Sequence, residues 1–211
     1  DGTTTPLNLI FGSGSITSYA IQNNNNTVSN NTIHDWFSAT STTPGAAINI
    51  VGGASDWTIT GNSFYQTVTR TFTLTTATDQ GAIFINSALF GTNFTISNNF
   101  IGGTAPLCGG TPWTYTGVAT GTPTPRLIRF AAALGAFSNI TGNTIANLAL
   151  TTATTNQGSS LIAHVSGNIN ITNNTLGSQS TTGNVVFTLT NTTAGIFFLP
   201  IGFGTGAVPC T

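Results

Sequence analysis

Three arginines, four aspartates, two histidines and two cysteines are all that this chain offers to acid–base, electrostatic or metal chemistry. The cations are Arg70, Arg126 and Arg129. The acids are Asp1, Asp35, Asp56 and Asp79, and there is neither lysine nor glutamate. Hydrolysis of a glycosidic bond needs two carboxylates facing each other about 5–9.5 Å apart. Asp35, Asp56 and Asp79 differ in register and are expected on different sides of the fold; Asp79, placed in a long loop, could still swing towards Asp56. A calcium site favours several carboxylates, so no metal is expected, and no residue set suggests a cofactor. His34 neighbours Asp35 but no nucleophile shares their register. His164 lies in a strand whose Leu161, Ala163 and Val165 are expected to point in, leaving the imidazole outside. Arg126 and Arg129 flank an apolar strand and could hold a carboxylate, yet two arginines alone do not make a site. The reading is non-enzymatic.

The elements that position these groups must be built from an unusual composition. Charged residues make up 3% of the chain, against about 25% in ordinary soluble proteins. Thr, Asn, Ser and Gly must carry the hydrated surface. Attraction to nucleic acid or anionic lipid needs clustered Lys or Arg, so neither is an expected partner. A hydrophobic content of 39% argues against disorder. No run approaches the roughly 18 apolar residues of a membrane span; the most apolar stretch, Ile196 to Phe203, is interrupted by Pro200 and Gly202. The first residue is Asp1, with no signal-peptide core behind it, which suggests a removed leader or an internal piece of a longer protein. Cys108 and Cys210 are compatible with one disulfide in an oxidising compartment, with two free buried thiols as the alternative. The expected address is extracellular or on a cell surface.

One template recurs five times: Val28-Ser29-Asn30-Asn31-Thr32-Ile33, Ile59-Thr60-Gly61-Asn62-Ser63-Phe64, Ile96-Ser97-Asn98-Asn99-Phe100-Ile101, Ile140-Thr141-Gly142-Asn143-Thr144-Ile145 and Ile171-Thr172-Asn173-Asn174-Thr175-Leu176. It reads aliphatic, Ser or Thr, Gly or Asn, Asn, any residue, large apolar. The fourth-position residues Asn31, Asn62, Asn99, Asn143 and Asn174 are separated by 31, 37, 44 and 31 residues. β-branched, period-two segments such as Ala47–Val51, Ala82–Ile85, Leu127–Phe130 and Leu161–Val165 precede the later copies and read as strands. The arrangement predicts a coil wound on itself, with parallel strands about 4.8 Å apart from turn to turn. The first and sixth template residues point inward. The fourth-position Asn sits at a bend, where it tolerates left-handed angles and its amide can bond along the axis to its counterparts. No sustained 3.6-residue period supports helices, and an antiparallel sandwich gives no reason for one motif to recur.

The template resembles the parallel β-helix repeat of polysaccharide lyases, pectin-active hydrolases, phage tailspikes and large bacterial surface proteins, over about residues 19–204. The resemblance implies an all-β, right-handed parallel β-helix (a β-solenoid) of about six irregular turns with loop insertions, forming a single segment over 1–211. Its function is mixed, because these residues build the scaffold. Enzymes of that group carry carboxylates with an Arg or Lys outside one sheet, often with calcium, and this chain is short of the acids. The nearly uncharged Thr/Asn/Gly texture is similar to giant secreted surface proteins of Bacteroidota-type bacteria.

The function that follows is a non-catalytic structural or adhesive segment of a large extracellular, cell-surface or filament-forming protein. Apolar strands near both ends of the sequence are expected to stack on neighbouring segments of the same chain or on identical subunits. An alternative is carbohydrate binding, or less readily cleavage, through a loop insertion at 102–125, where Trp113 and Tyr115 could stack on a glycan. Another is ice binding by the outward Thr, Ser and Asn of the template strands. Cys108 and Cys210 lie about three turns, or roughly 14 Å, apart along the axis, whereas a disulfide holds Cα atoms within about 7 Å. Only a loop folded along the coil could join them.

Overall fold

The computed structural model describes residues 5–17, 19–73, 78–117, 124–152, 158–178, 183–190 and 198–203. Among the described residues the chain is all-β apart from one 3-10 turn at Tyr19–Ile21. It opens with β1 (Ile10–Gly14), β2 (Thr27–Ser29) and β3 (Thr32–His34). The next circuit is β4 (Gly45–Gly52), β5 (Thr58–Thr60), β6 (Ser63–Tyr65) and β7 (Arg70–Phe72). Then come β8 (Asp79–Ser87), β9 (Thr95–Ser97), β10 (Phe100–Ile101) and β11 (Trp113–Gly117). They are followed by β12 (Thr124–Ala132), β13 (Ser138–Thr141), β14 (Thr144–Ile145) and β15 (Leu148–Thr152). A last full circuit holds β16 (Ser159–Ser166), β17 (Ile169–Thr172), β18 (Thr175–Leu176) and β19 (Val185–Leu189), and β20 (Phe198–Phe203) begins another.

Strands at equivalent places in successive circuits pair in parallel. The first sheet is β1-β4-β8-β12-β16-β20, the second β2-β5-β9-β13-β17, the third β3-β6-β10-β14-β18 and the fourth β7-β11-β15-β19. The chain therefore visits four all-parallel sheets in a fixed order, each circuit stacked on the one before. Parallel strands demand a long crossover, and here the other three sheets supply it.

The sequence makes this arrangement by aligning like on like. Ile48, Ile83, Ile128, Ile162 and Ile201 share one register column of the first sheet. In the second sheet Ile59, Ile96 and Ile140 align and are fully buried. Ile33, Phe64, Ile101 and Ile145 fill the same column of the third sheet. Each buried aliphatic side chain contributes about 1.5–3 kcal/mol through removal from water, and the columns repeat that gain at every level.

Three expectations need correction. Trp113–Gly117 is a strand of the fourth sheet, not part of a surface loop. His164 points inward: it aligns with the core residue Phe130, while its neighbour Ala163 aligns with Arg129 on the other face. Leu127 and Leu161 both join the core next to Ile128 and Ile162, so strict alternation fails for the residues around them. Finally, Asp79 is the first residue of β8, not a loop acid.

Candidate functional site

The bend between the second and third sheets contains two residues in every circuit. Its first residue is Asn30, Gly61, Asn98, Gly142 or Asn173, and all five have φ between 53° and 68°. The left-handed position is thus the third of the template, one residue before the recurring Asn. Asn and Gly alternate there for a steric reason. A Cβ on Gly61 would lie 2.4 Å from Asn30 Oδ1, and one on Gly142 would lie 2.5 Å from Asn98 Oδ1. Each Asn side chain reclines over the bend of the next circuit, which must then be Gly.

The fourth-position residues form a continuous ladder. Asn31 donates its backbone N–H and its Nδ2 to Asn62 Oδ1 at 2.9 and 3.1 Å. Asn62 gives the same pair to Asn99 Oδ1, both at 3.0 Å. Asn99 gives them to Asn143 Oδ1, and Asn143 to Asn174 Oδ1, at 2.9–3.0 Å. The second Nδ2 proton of Asn62, Asn99 and Asn143 reaches back to a strand carbonyl, Val28 O, Ile59 O and Ile96 O respectively, at 2.9 Å. Asn62, Asn99 and Asn143 are fully buried. Burial demands that every amide group be partnered, and the ladder meets that demand.

Five of the six charged residues described form two groups that each tie one circuit to another. In the first, Arg70 is buried in β7 with its Nε on Gln66 Oε1 at 2.7 Å and its Nη2 on Asp35 Oδ1 at 2.5 Å. Asp35, at φ 61°, also accepts from the Thr67 backbone and hydroxyl and faces His34 Nδ1 at 2.9 Å. Partial burial works to raise the Asp35 pKa. The His34 and Thr67 hydrogen bonds, together with the Arg70 charge, outweigh it and hold the carboxyl below the ordinary aspartate value. The His34 ring stacks on Tyr65 at 5.0 Å. In the second group, Asp79 Oδ2 accepts from Arg126 Nη1 at 2.9 Å and stands 3.0 Å from Arg129 Nε. Asp79 is thereby committed to the arginines, and Asp56 accepts instead from Asn93 Nδ2 at 2.6 Å. The two acids do not meet.

Trp113 and Tyr115 are buried, at 0% and 1% exposure. Trp113 packs edge-on against Trp36 at 5.3 Å, and Tyr115 against Phe72 at 5.2 Å. Neither offers a ring face to a sugar, because both occupy inward positions of β11. Cys108 is a free thiol, half-buried, with Sγ 3.7 Å from Thr144 O. Burial pushes it up to about 11 against weaker opposing backbone contacts, so it is a poor nucleophile at neutral pH. Cys210 lies outside the described residues.

The outer face of the second sheet carries two aligned columns, Thr27-Thr58-Thr95-Asn139-Asn170 and Ser29-Thr60-Ser97-Thr141-Thr172. Their side chains bond to one another: Ser97 Oγ to Thr60 Oγ1 at 2.9 Å, Thr172 Oγ1 to Thr141 Oγ1 at 3.0 Å and Asn170 Nδ2 to Asn139 Oδ1 at 3.1 Å.

Sequence reasoning missed the Arg70 anchor and Asn147, whose Nδ2 lies 3.0–3.4 Å from the carbonyls of Cys108, Gly109, Gly110 and Thr111. No spacing signal marks either: Arg70 reaches Asp35 across 35 residues, and Asn147 lies outside the template. No protein-family model, no curated protein and no solved structure matches the chain.

Proposed function

We propose that the chain is a right-handed parallel β-helix serving as a non-catalytic structural or adhesive segment of a large extracellular, cell-surface or filament-forming protein. The observation that carries this reading is the polarity of the asparagine ladder. Each rung offers Oδ1 to the circuit before it and its N–H groups to the circuit after it. Among the described residues, Asn31 Oδ1 therefore meets no donor and the Asn174 backbone N–H meets no acceptor. A further template turn would close either end. The partner in this reading is a neighbouring segment of the same chain or an identical subunit, stacked end to end. The use of charge supports it as well, since Asp35, Arg70, Asp79, Arg126 and Arg129 all join one circuit to another. The extracellular address rests on composition and the template resemblance.

The ice-binding alternative gains little, because the hydroxyl and amide columns satisfy one another. The glycan alternative loses its aromatic platform with Trp113 and Tyr115 buried. Sedimentation velocity over a wide concentration range tests the proposal. Association that grows with concentration and weakens in N31L, which lacks the open acceptor, is the expected result. A clean monomer at millimolar concentration removes the end-stacking reading.

A further inference from the structure

We propose that the outer face of the first sheet holds a compact oxyanion, a carboxylate or a sulfate, between Arg126 and Arg129. The chain has six charged side chains among its described residues, and three of them meet here. Two guanidinium groups face one carboxylate, which leaves a net positive charge at the site. Both contacts fall on a single oxygen, Asp79 Oδ2. A fork-to-fork pair would use both carboxylate oxygens, so the arginines are only partly served.

The unused donors are specific. Arg126 gives Nη1 to Asp79 and Nε to Gly158 O at 3.3 Å. Arg129 gives Nη1 to Asn86 Oδ1, and the Asn86 amide is in turn held by Asn49 Oδ1 at 3.1 Å. Neither Nη2 has a partner among the described residues. Arg129 Nε lies close to Asp79 but off the line a hydrogen bond needs, and it is buried without an acceptor. Ser160, the register neighbour of Arg126 on β16, is 1% exposed, and its hydroxyl has no partner either.

A buried donor without an acceptor is costly, and a charged one more so. All four open groups can donate, and three can do nothing else. The species that completes them is therefore an acceptor carrying negative charge. Cations and apolar ligands fit none of these groups, whereas the planar guanidinium fork matches carboxylate and sulfate oxygens. The electrostatics agree. Burial pulls the Arg129 pKa down, and of the neighbouring charges Asp79 opposes that fall while Arg126 adds to it. A second anion relieves the repulsion between the two arginines.

The test reads the arginine Nε–Hε signals of the whole chain by ¹⁵N–¹H correlation NMR. Three arginines give three signals, assigned with R126K and R129K. Sodium acetate and sodium sulfate are titrated against sodium chloride at matched ionic strength. The expected result is a saturable shift of the Arg126 and Arg129 signals with acetate or sulfate, none with chloride, and an unmoved Arg70. D79N removes the competing carboxylate and is expected to tighten binding by roughly tenfold; S160A is expected to weaken it while leaving the charges in place. Linear shifts that are equal in all three salts overturn the proposal. So does saturable binding that D79N leaves unchanged or weakens, because the arginines would then serve only as a clamp on Asp79.

Discussion

The corner between the second and third sheets and the corner between the third and fourth face the same task by different means. The first spans two residues in every circuit. The second spans four residues after β6, eleven after β10, two after β14 and eight after β18. At the first, one Asn per circuit satisfies both the bend it occupies and the bend of its neighbour, so an added residue would break two rungs. At the second, closure also passes between circuits, but through different residues each time. Arg70, Gln66 and Asp35 close one circuit. In the next, Asn147 Nδ2 lies 3.0–3.4 Å from the carbonyls of Cys108, Gly109, Gly110 and Thr111. A corner that repeats one residue and one set of bonds at every level cannot vary in length; one closed by different residues in each circuit can.

The largest effect should come from cutting the ladder at its centre. N99A removes the acceptor of the Asn62 N–H and Nδ2 and the donor to Ile59 O, all in a fully buried environment. With about 1–3 kcal/mol for each buried group left unpaired, the loss in unfolding free energy should be about 3–5 kcal/mol by denaturant titration. N147A frees carbonyls on a half-exposed loop that water can reach, so it should cost about 1–2 kcal/mol. Its amide exchange should rise only around residues 104–111. Equal losses in the two variants would mean that the two corners are not built differently.

The first corner was legible in the sequence and the second was not, for the same physical reason. A ladder requires one residue type at one place in each circuit, so Asn31, Asn62, Asn99, Asn143 and Asn174 stand out by recurrence. The third position could also be read as Gly or Asn, but which of the two stands in a given circuit depends on how Asn30 and Asn98 lean over the next circuit. The second corner leaves no recurrent trace. Trp113 and Tyr115 read as loop aromatics because prolines and glycines surround them, while the strand pairing with β7 and β15 that buries them is set by residues about 35–45 positions away. Alternation counted from Leu161 puts His164 outside, and it fails because Leu161 and Ile162 both enter the core.

A smaller effect should follow from neutralising the charge-closed version of the second corner. Asp35 has a depressed pKa in the folded chain, so it binds protons less readily there than when unfolded. Its stabilising contribution is complete above the unfolded value of about 3.9 and is lost as pH falls through the lower folded value. Wild-type stability should therefore decline below about pH 4 with a component that D35N lacks. At neutral pH the D35N change should cost about 1.5–3 kcal/mol, the range for a hydrogen bond to a charged group. The ladder variant N99A should show no change in that acid slope. If N99A and D35N lose the slope together, the two corners are coupled and the contrast between them is too sharply drawn.

The smallest effect should come from lengthening the loop that already varies. The eleven residues after β10 are pinned at both sides, by Leu107 N on Ser63 Oγ at 3.0 Å and by Asn147 on the carbonyls from Cys108 onward. Within that loop, Ala105 and Gly109 form an isolated antiparallel bridge, so the loop is folded upon itself with the Leu107 side chain exposed. Two glycines inserted after Pro106 enlarge a loop whose closure entropy grows only logarithmically with length, a cost of about 0.6 kcal/mol or less. The same two glycines inserted between Asn98 and Asn99 would separate the left-handed residue from its rung and unfold the circuits on either side. Thermal melts of the two insertions side by side give the cleanest measure of the contrast. A near-native melting temperature for the first and loss of cooperative unfolding for the second would show that length is fixed only where the same residue repeats the same bonds at every level.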